Sequence, residues 1–233
     1  MPLSIIIPCY NEEARIAPTL DRIRAYLNSR DITGEIIVVN DGSTDGTLAI
    51  LNAQKDIRVF TWDLNRGKGA AVREGMLNAT RDIILFTDAD LSTPIEEADK
   101  LLVLLKNYDV VIGSRQVPGK RIEKYQAPHR LLLGMAFGYT VRIVFRLRYH
   151  DTQCGFKAMT QNAAATLAKH MKINGFTFDV EMLCLADQLG LKVTEVGVRW
   201  RDVAGSKLNP RRDFGKIIAE LIEIRKNIND FGH

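Results

Sequence analysis

Long apolar runs are missing from this sequence of 233 residues. The longest apolar candidate, residues 131–141, is roughly half of the about 20 residues that a helix needs to span a bilayer, so we expect no transmembrane helix. The beginning of the chain also lacks the basic region of a signal peptide.

Cysteine is scarce: Cys9, Cys154 and Cys184 lie far apart, without CxxC or metal-ligand spacing. None of the four histidines has ligand spacing either. We therefore expect neither a disulfide scaffold nor a zinc site, and we expect a reduced, cytoplasmic protein.

The chain as a whole has no large excess of positive or negative charge, because its net charge is only +4. Residues 113–150, however, contain eight Lys or Arg against a single acid, Glu123. Such a local excess favours an anionic partner, which from charge alone could be phosphate, a membrane surface or nucleic acid.

Short β-rich runs alternate with helical patterns in the first half, which predicts an α/β fold with a mostly parallel central sheet flanked by helices. The predicted strands are 3–7, 35–39, 58–62, 83–87 and 109–112, and the helical patterns are 16–27, 44–53, 69–79 and 94–106. Further on we predict a basic loop (116–128), an amphipathic region (129–149), two helices (162–171 and 178–189), one strand (192–200) and a C-terminal amphipathic helix (214–228).

Polar or glycine-rich segments follow each of the five predicted strands. They are PCYNE (8–12), NDGSTD (40–45), NRGKG (65–69), DAD (88–90) and GSR (113–115). Functional groups of open α/β sheets gather at the carboxyl ends of the strands, so we expect these segments to line one crevice.

The sharpest feature is the pair Asp88 and Asp90, which follows the buried run 83–86. Carboxylate oxygens suit Mg²⁺ or Mn²⁺, which a diphosphate would bind jointly with the protein. The alternative is an Asx-type turn before a helix whose N-cap is Ser92 or Thr93. The two residues alone leave both interpretations open.

Two common nucleotide motifs are absent. Gly69 follows Lys68 where a P-loop requires Ser or Thr, and no GxGxxG follows the first strand. These absences argue against a P-loop NTPase and a dinucleotide-dependent oxidoreductase.

Taken in order, the motifs at 8–12, 41–45, 65–69 and 88–90 resemble the family-2 glycosyltransferases of the GT-A (Rossmann-like) fold. The segments GSR (113–115), DTQCGFK (151–157), FDVE (178–181) and GSK (205–207) are similar to the polyprenyl-phosphate glycosyltransferases, most of all to the dolichyl-phosphate β-glucosyltransferase branch. The resemblance covers residues 3–208. It implies one domain with a nucleotide-sugar half (1–115), an acceptor half (116–208) and a C-terminal helix (209–233).

The resemblance also implies roles for individual residues. The donor, a UDP- or GDP-linked sugar and most readily UDP-glucose, would contact Pro8, Tyr10, Glu12, Asp41, Lys68, Asp88 and Ala89. Mg²⁺ or Mn²⁺ would be held by Asp88 and Asp90, with Asp90 as the principal ligand. Phosphate of a polyprenyl acceptor would meet Arg115, Arg130 and Lys207, and the catalytic set would be Asp90, Arg115, Asp151 and Asp179.

Such an acceptor changes what catalysis requires. A phosphate monoester with a second pKa of about 6 is largely ionised at neutral pH and needs no general base. Asp151 and Asp179 are therefore candidates for either a base or an orienting role, and attack opposite the nucleotide inverts the anomeric carbon. Ser92 stands where mannosyl-transferring relatives often have Gln, which leaves its role toward the metal open.

The acceptor half also raises the question of a membrane. Apolar residues between 131 and 145 either face lipid, with Arg142, Arg146 and Arg148 at anionic headgroups, or pack on the domain's own core. The resemblance implies peripheral contact with the cytoplasmic membrane face and no nucleic acid. Two other functions stay open: transfer to a hydroxyl of a soluble glycan or protein, and a silent module that binds nucleotide-sugars.

Overall fold

A computed structural model describes residues 2–124, 128–203 and 210–231. Its first part contains β1 (Leu3–Cys9), α1 (Ile16–Ser29), β2 (Gly34–Asp41), α2 (Thr47–Asn52), β3 (Arg58–Trp62), α3 (Lys68–Asn78), β4 (Ile83–Thr87), a 3-10 turn (Ile95–Glu97), α4 (Ala98–Leu104) and β5 (Val110–Ser114). There follow β6 (Arg121–Lys124), α5 (Pro128–Phe145), β7 (Phe156–Thr160), α6 (Gln161–His170), α7 (Phe178–Gln188), β8 (Val193–Gly197), β9 (Arg199–Arg201) and α8 (Pro210–Phe231).

The central sheet has the order β3-β2-β1-β4-β7-β5-β8. All its neighbours pair in parallel except β7, which runs antiparallel between β4 and β5. Alternate side chains of β1 enter opposite cores, Ile6 on one face and Ile5 and Ile7 on the other. The predicted α/β fold with a mostly parallel sheet is confirmed, and it gathers the carboxyl ends of the parallel strands at one edge.

Three parts of the sheet differ from the prediction. Strand β7 was not predicted, because Lys157 interrupts its apolar pattern, although this lysine is fully buried. The predicted strand 192–200 is two strands, β8 in the main sheet and β9 in a separate ribbon. Strand β9 pairs with β6, which lies inside the predicted basic loop. Strand β6 was not predicted, because its charged sequence RIEK has no alternating apolar pattern.

Each predicted helix is present, with shifted ends. Helix α1 has Pro18 in its first turn, as predicted. Helix α2 begins at Thr47 rather than at residue 44, because the Asp45 carboxylate accepts hydrogen bonds from the Thr47 amide and hydroxyl. Helix α5 ends at Phe145 rather than near residue 149, because Arg146 adopts a left-handed conformation with φ of 55°.

Candidate active site

One cleft lies at the carboxyl edge of the sheet, between the ends of β4 and β5 and the loop that leads into β7. Its lining consists of Thr87, Asp88, Asp90, Ser92, Thr93, Arg115, Gln153, Gly155, Trp200, Asp202 and Val203. The structure therefore brings together the carboxylate pair and the arginine that the sequence suggested separately. Gln153, Trp200 and Asp202 join them from parts of the chain to which the sequence reasoning gave no site role.

The two aspartates are held differently. Asp88 forms an ion pair with Lys68 at the start of α3, with 2.5 Å between Oδ1 and Nζ. Asp90 accepts a 2.8 Å hydrogen bond from the Ser92 amide, so the predicted Asx-type turn is present. The predicted N-cap at Ser92 or Thr93 is wrong, because Pro94 occupies the N-cap of the short 3-10 turn.

The donor set of this pair fits a divalent cation. Burial, together with the neighbouring charge of Asp88, raises the pKa of Asp90. A cation between the two carboxylates would relieve that repulsion. Within the described residues, no group of three or more His, Cys, Asp or Glu side chains could enclose a metal. The pair thus suits a Mg²⁺- or Mn²⁺-type ion that takes its other oxygen ligands from a substrate and water.

The loop before β7 packs its backbone at Gly155 directly against the Asp88 carboxylate. A Cβ atom on Gly155 would lie 2.1 Å from Oδ2 of Asp88, a distance that real Cβ atoms do not tolerate. Glycine at this position therefore lets the loop approach while Asp88 keeps its orientation toward the cleft.

The end of β2 organises the glycine-rich loop 65–69. The Asp41 carboxylate accepts hydrogen bonds from the amides of Arg66 (2.6 Å) and Gly67 (2.9 Å). Burial raises the pKa of Asp41, and the two amides partly oppose that effect. Gly67 has φ of 109°, and a Cβ there would lie 2.3 Å from the Asn174 carbonyl oxygen. Asp41 thus fixes the loop that delivers Lys68 to the cleft.

The other predicted donor residues occupy the same edge of the sheet. Pro8 and Tyr10 are partly exposed there. Glu12 forms an ion pair with Arg15, with 2.6 Å between Oε2 and Nη2. Ala89 is buried with its side chain in the core, and its carbonyl oxygen accepts a 2.6 Å hydrogen bond from Thr19. Contact of these four residues with the donor stays a prediction. For Ala89 only the backbone could make such a contact, because its side chain is buried in the core.

Arg115 is oriented by Asp151. The Asp151 carboxylate accepts three hydrogen bonds from Arg115: from the amide (2.8 Å), Nε (2.7 Å) and Nη2 (2.8 Å). Burial acts to raise the pKa of Asp151, but the adjacent guanidinium outweighs it and holds the pKa below its ordinary value. The guanidinium also lies 5.5 Å from the ring centre of Trp200. Asp151 is therefore placed as an orienting residue for a cation that faces the cleft.

A further carboxylate, which the sequence reasoning missed, supports this pair. Glu195 on β8 accepts hydrogen bonds from the amides of His150 (2.7 Å) and Asp151 (2.9 Å). It thereby fixes the backbone that carries Asp151. Only its place in an otherwise alternating apolar strand marks Glu195 in the sequence, and that signal does not indicate a partner.

Asp179 lies apart from the cleft lining. It is buried in the first turn of α7, where it forms an ion pair with the buried Lys157. Lys157 also donates a 2.6 Å hydrogen bond to the Cys154 carbonyl oxygen. Burial raises the pKa of Asp179, while Lys157 and Lys68 oppose the rise. This geometry favours a supporting role over that of a base.

Two predicted phosphate ligands cannot be placed in the cleft. Lys207 lies outside the described residues, and so does the side chain of Arg130, although its backbone belongs to α5. Their proposed contact with phosphate stays a prediction.

The structure is similar to solved structures of a glucosyl-3-phosphoglycerate synthase. Glucosyl-3-phosphoglycerate synthase from Mycobacterium tuberculosis, in complex with Mn²⁺, UDP and glucosyl-3-phosphoglycerate, superposes with a TM-score of 0.71 at 20% identity, covering 97% of this chain and 79% of that one. Its complex with Mg²⁺ and UDP gives a TM-score of 0.70. The fold and the carboxylate-lined cleft define the GT-A class of glycosyltransferases.

The sequence comparison identifies the family. Glycosyl transferase family 2 matches residues 4–167, and the chain belongs to that family. Dolichyl-phosphate beta-glucosyltransferase of Drosophila melanogaster is 38% identical over 228 residues, which covers 90% of this chain and 70% of the relative. The enzymes of that name from Homo sapiens and Saccharomyces cerevisiae are 34% and 32% identical, each covering 96% of this chain and 74% of the relative. The resemblance seen in the motifs is confirmed.

Proposed function

We propose that this protein transfers glucose from UDP-glucose to a polyprenyl phosphate such as dolichyl phosphate, in an inverting reaction that depends on Mg²⁺ or Mn²⁺. The observation that carries the proposal is that Asp88, Asp90 and the oriented guanidinium of Arg115 line one and the same cleft. The names of the curated relatives support the sugar and the acceptor. The UDP and metal complexes of the structural neighbours support the nucleotide and the cation.

The acidic and the basic residues of the cleft have different roles in the proposed reaction. A cation held by Asp88 and Asp90 would neutralise the charge that develops on the departing nucleoside diphosphate. Lys68 fixes the orientation of Asp88. Arg115 donates hydrogen bonds from Nε and Nη2 to Asp151, so its remaining N–H groups can donate to phosphate oxygens.

No general base is required for this reaction. The acceptor phosphate is already ionised at neutral pH. Asp151 and Asp179, the two candidates for a base, each bind a cation of the protein instead. Neither of these two candidates therefore offers the free carboxylate that transfer to a neutral hydroxyl would need.

Helix α5 supports contact with a membrane. All six residues from 131 to 136 are exposed, and six consecutive residues surround a helix completely. None of the six is charged, and Leu132, Leu133 and Met135 are each more than half exposed. The second half of α5 instead packs on the core through Val141. The exposed first half of α5 therefore supports the lipid-facing interpretation, and the buried Val141 supports packing on the core at that one position of the second half.

A second exposed apolar stripe lies on α8. Phe214, Ile218 and Ile222 repeat every four residues on α8 and are exposed. Arg225 on this helix donates a 3.0 Å hydrogen bond to the Val144 carbonyl oxygen of α5. In the described parts of the chain, no helix is long and apolar enough to cross a bilayer. We propose peripheral binding at the cytoplasmic membrane face, in keeping with three free, buried cysteines.

The reaction is tested with purified protein, UDP-glucose, a short-chain polyprenyl phosphate and Mg²⁺, with product linkage read by NMR. We expect a β-linked glucosyl phospholipid, formation of which stops with EDTA and in Asp88→Asn and Asp90→Asn. Asp31→Asn, an exposed carboxylate between α1 and β2, is the control and retains activity. Absence of transfer from UDP-glucose, GDP-mannose and UDP-N-acetylglucosamine alike would refute the proposal. Retained donor binding in that case would indicate a silent module.

Membrane contact is tested separately by liposome flotation. We expect the double substitution Leu132→Glu/Met135→Glu to lower the bound fraction, because burying a carboxylate in lipid is costly. Val103→Glu on α4, at a similarly exposed apolar side chain, is the matched control. Equal flotation of both variants would contradict a role for α5.

A further inference from the structure

A second cleft adjoins the carboxylate cleft and is contiguous with it. The two share Asp90, Asp202 and Val203. The other walls come from α1, from the turn after Asp90 and from the β6–β9 ribbon, through Ala14, Arg15, Pro18, Thr19, Arg22, Leu91, Lys124 and Arg201. Any group bound in this second cleft would lie beside the proposed metal ligand Asp90.

Most of the charged side chains that line the second cleft are basic. Four basic side chains line it against two carboxylates. Arg15 and Arg22 already pair with Glu12 and Glu96. Lys124 and Arg201, in contrast, are exposed and have no side-chain partner among the residues that the structure describes. Two positive charges are therefore available to a ligand here.

The backbone fixes where these two charges are presented. The Arg201 amide donates a 3.0 Å hydrogen bond to the Ser92 carbonyl oxygen, in the turn that carries Asp90. The Asp202 amide donates a 3.0 Å hydrogen bond to the Lys124 carbonyl oxygen, which joins the two strands of the ribbon. The ribbon is thus attached to the carboxylate turn, and it carries Lys124 and Arg201 at a defined place next to it.

We propose that Lys124 and Arg201 bind the phosphate group of the acceptor, and that the second cleft is the path by which this phosphate reaches Asp90. The inference rests on the proposed function. An attacking phosphate oxygen must approach the sugar beside the diphosphate, and the two clefts meet at Asp90. A lysine and an arginine that pair with no carboxylate of the described residues suit the charge and oxygen geometry of a phosphate monoester.

The direct test measures binding of geranyl phosphate by isothermal titration calorimetry without a nucleotide-sugar. We expect Lys124→Ala/Arg201→Ala to weaken this binding about tenfold or more, because two charge-assisted contacts are lost. Lys120→Ala/Arg121→Ala removes the same charges where the ribbon begins, outside the lining of the cleft, and it leaves binding unchanged. In steady-state assays with UDP-glucose the first pair raises the acceptor KM by a similar factor, while kcat and the donor KM stay within about twofold.

The outcomes are distinguishable. Equal affinity of both pairs of variants for geranyl phosphate would overturn the proposal. So would a Lys124→Ala/Arg201→Ala protein that loses only its binding to phosphatidylserine vesicles, since the cleft would then bind headgroups of surrounding lipid. Because calorimetry requires no turnover, binding that depends on Lys124 and Arg201 in a protein without transfer activity would retain the site and refute the proposed reaction instead.

Discussion

The Arg115–Asp151 pair allows an orienting role to be separated from that of a general base. Asp151→Asn keeps the shape of the side chain and removes its charge. The carboxylate is 2% exposed and accepts three hydrogen bonds, whereas the amide keeps a single acceptor oxygen. Removing one partner of a buried ion pair costs about 3–5 kcal/mol. Because the Arg115 side chain is 29% exposed, water partly replaces the lost partner, and we expect about 2–3 kcal/mol.

Two measurements follow from this magnitude. For a chain of this length the melting temperature would fall by roughly 4–12 °C. A displaced guanidinium in the cleft would lower kcat/KM about 10²-fold, as small displacements of positioning groups do. Asp109→Asn, at the opposite end of β5, is the matched control because Asp109 also accepts a backbone hydrogen bond (2.8 Å from the Lys192 amide).

A double-mutant cycle decides between the roles. If Asp151 acts through Arg115, then Arg115→Ala/Asp151→Asn has the same kcat/KM as Arg115→Ala, because the orienting residue has nothing left to orient. If Asp151 is a base, the double variant loses about a further 10²-fold. That second result would refute the orienting role derived from the geometry.

Three further predictions concern single residues. Gly155→Ala should abolish Mg²⁺-dependent transfer, because its methyl group would displace the Asp88 carboxylate. Gly215→Ala is the control and keeps full activity, because a Cβ atom there would meet nothing within 4 Å. Glu195→Gln should lower kcat/KM about tenfold with an unchanged Kd for UDP, since one backbone amide loses its acceptor; an equal loss of UDP affinity would contradict this. For Glu35, burial acts to raise its pKa, but its hydrogen bonds, first from the Ser4 hydroxyl, lower it to about 2. Its contribution is present above pH ~4.5 and is lost as the pH falls toward 2, so in urea unfolding Glu35→Gln should cost about 2 kcal/mol at pH 7 and little near pH 2.

Local patterns in the sequence were sufficient for much of the fold. Strands β3 and β4 have the predicted ends, because a continuous β-rich run and its polar boundary are encoded by neighbouring residues. The carboxylate pair lies at the end of β4, as its position after a buried strand predicted. Parallel strands also bring their carboxyl ends to one edge, so gathering the motifs there required no knowledge of tertiary contacts.

Only the tertiary structure decided which charges lie together. Asp151 meets Arg115 across 36 residues of chain, and Lys157 meets Asp179 across 22. Such pairs are set by the insertion of β7 between β4 and β5, which the buried lysine concealed in the sequence. Long-range pairing depends on packing and on the neutralisation of buried charge rather than on local propensity. The sequence by itself therefore determined the family and the carboxylate pair, and the fold determined which groups orient the cleft.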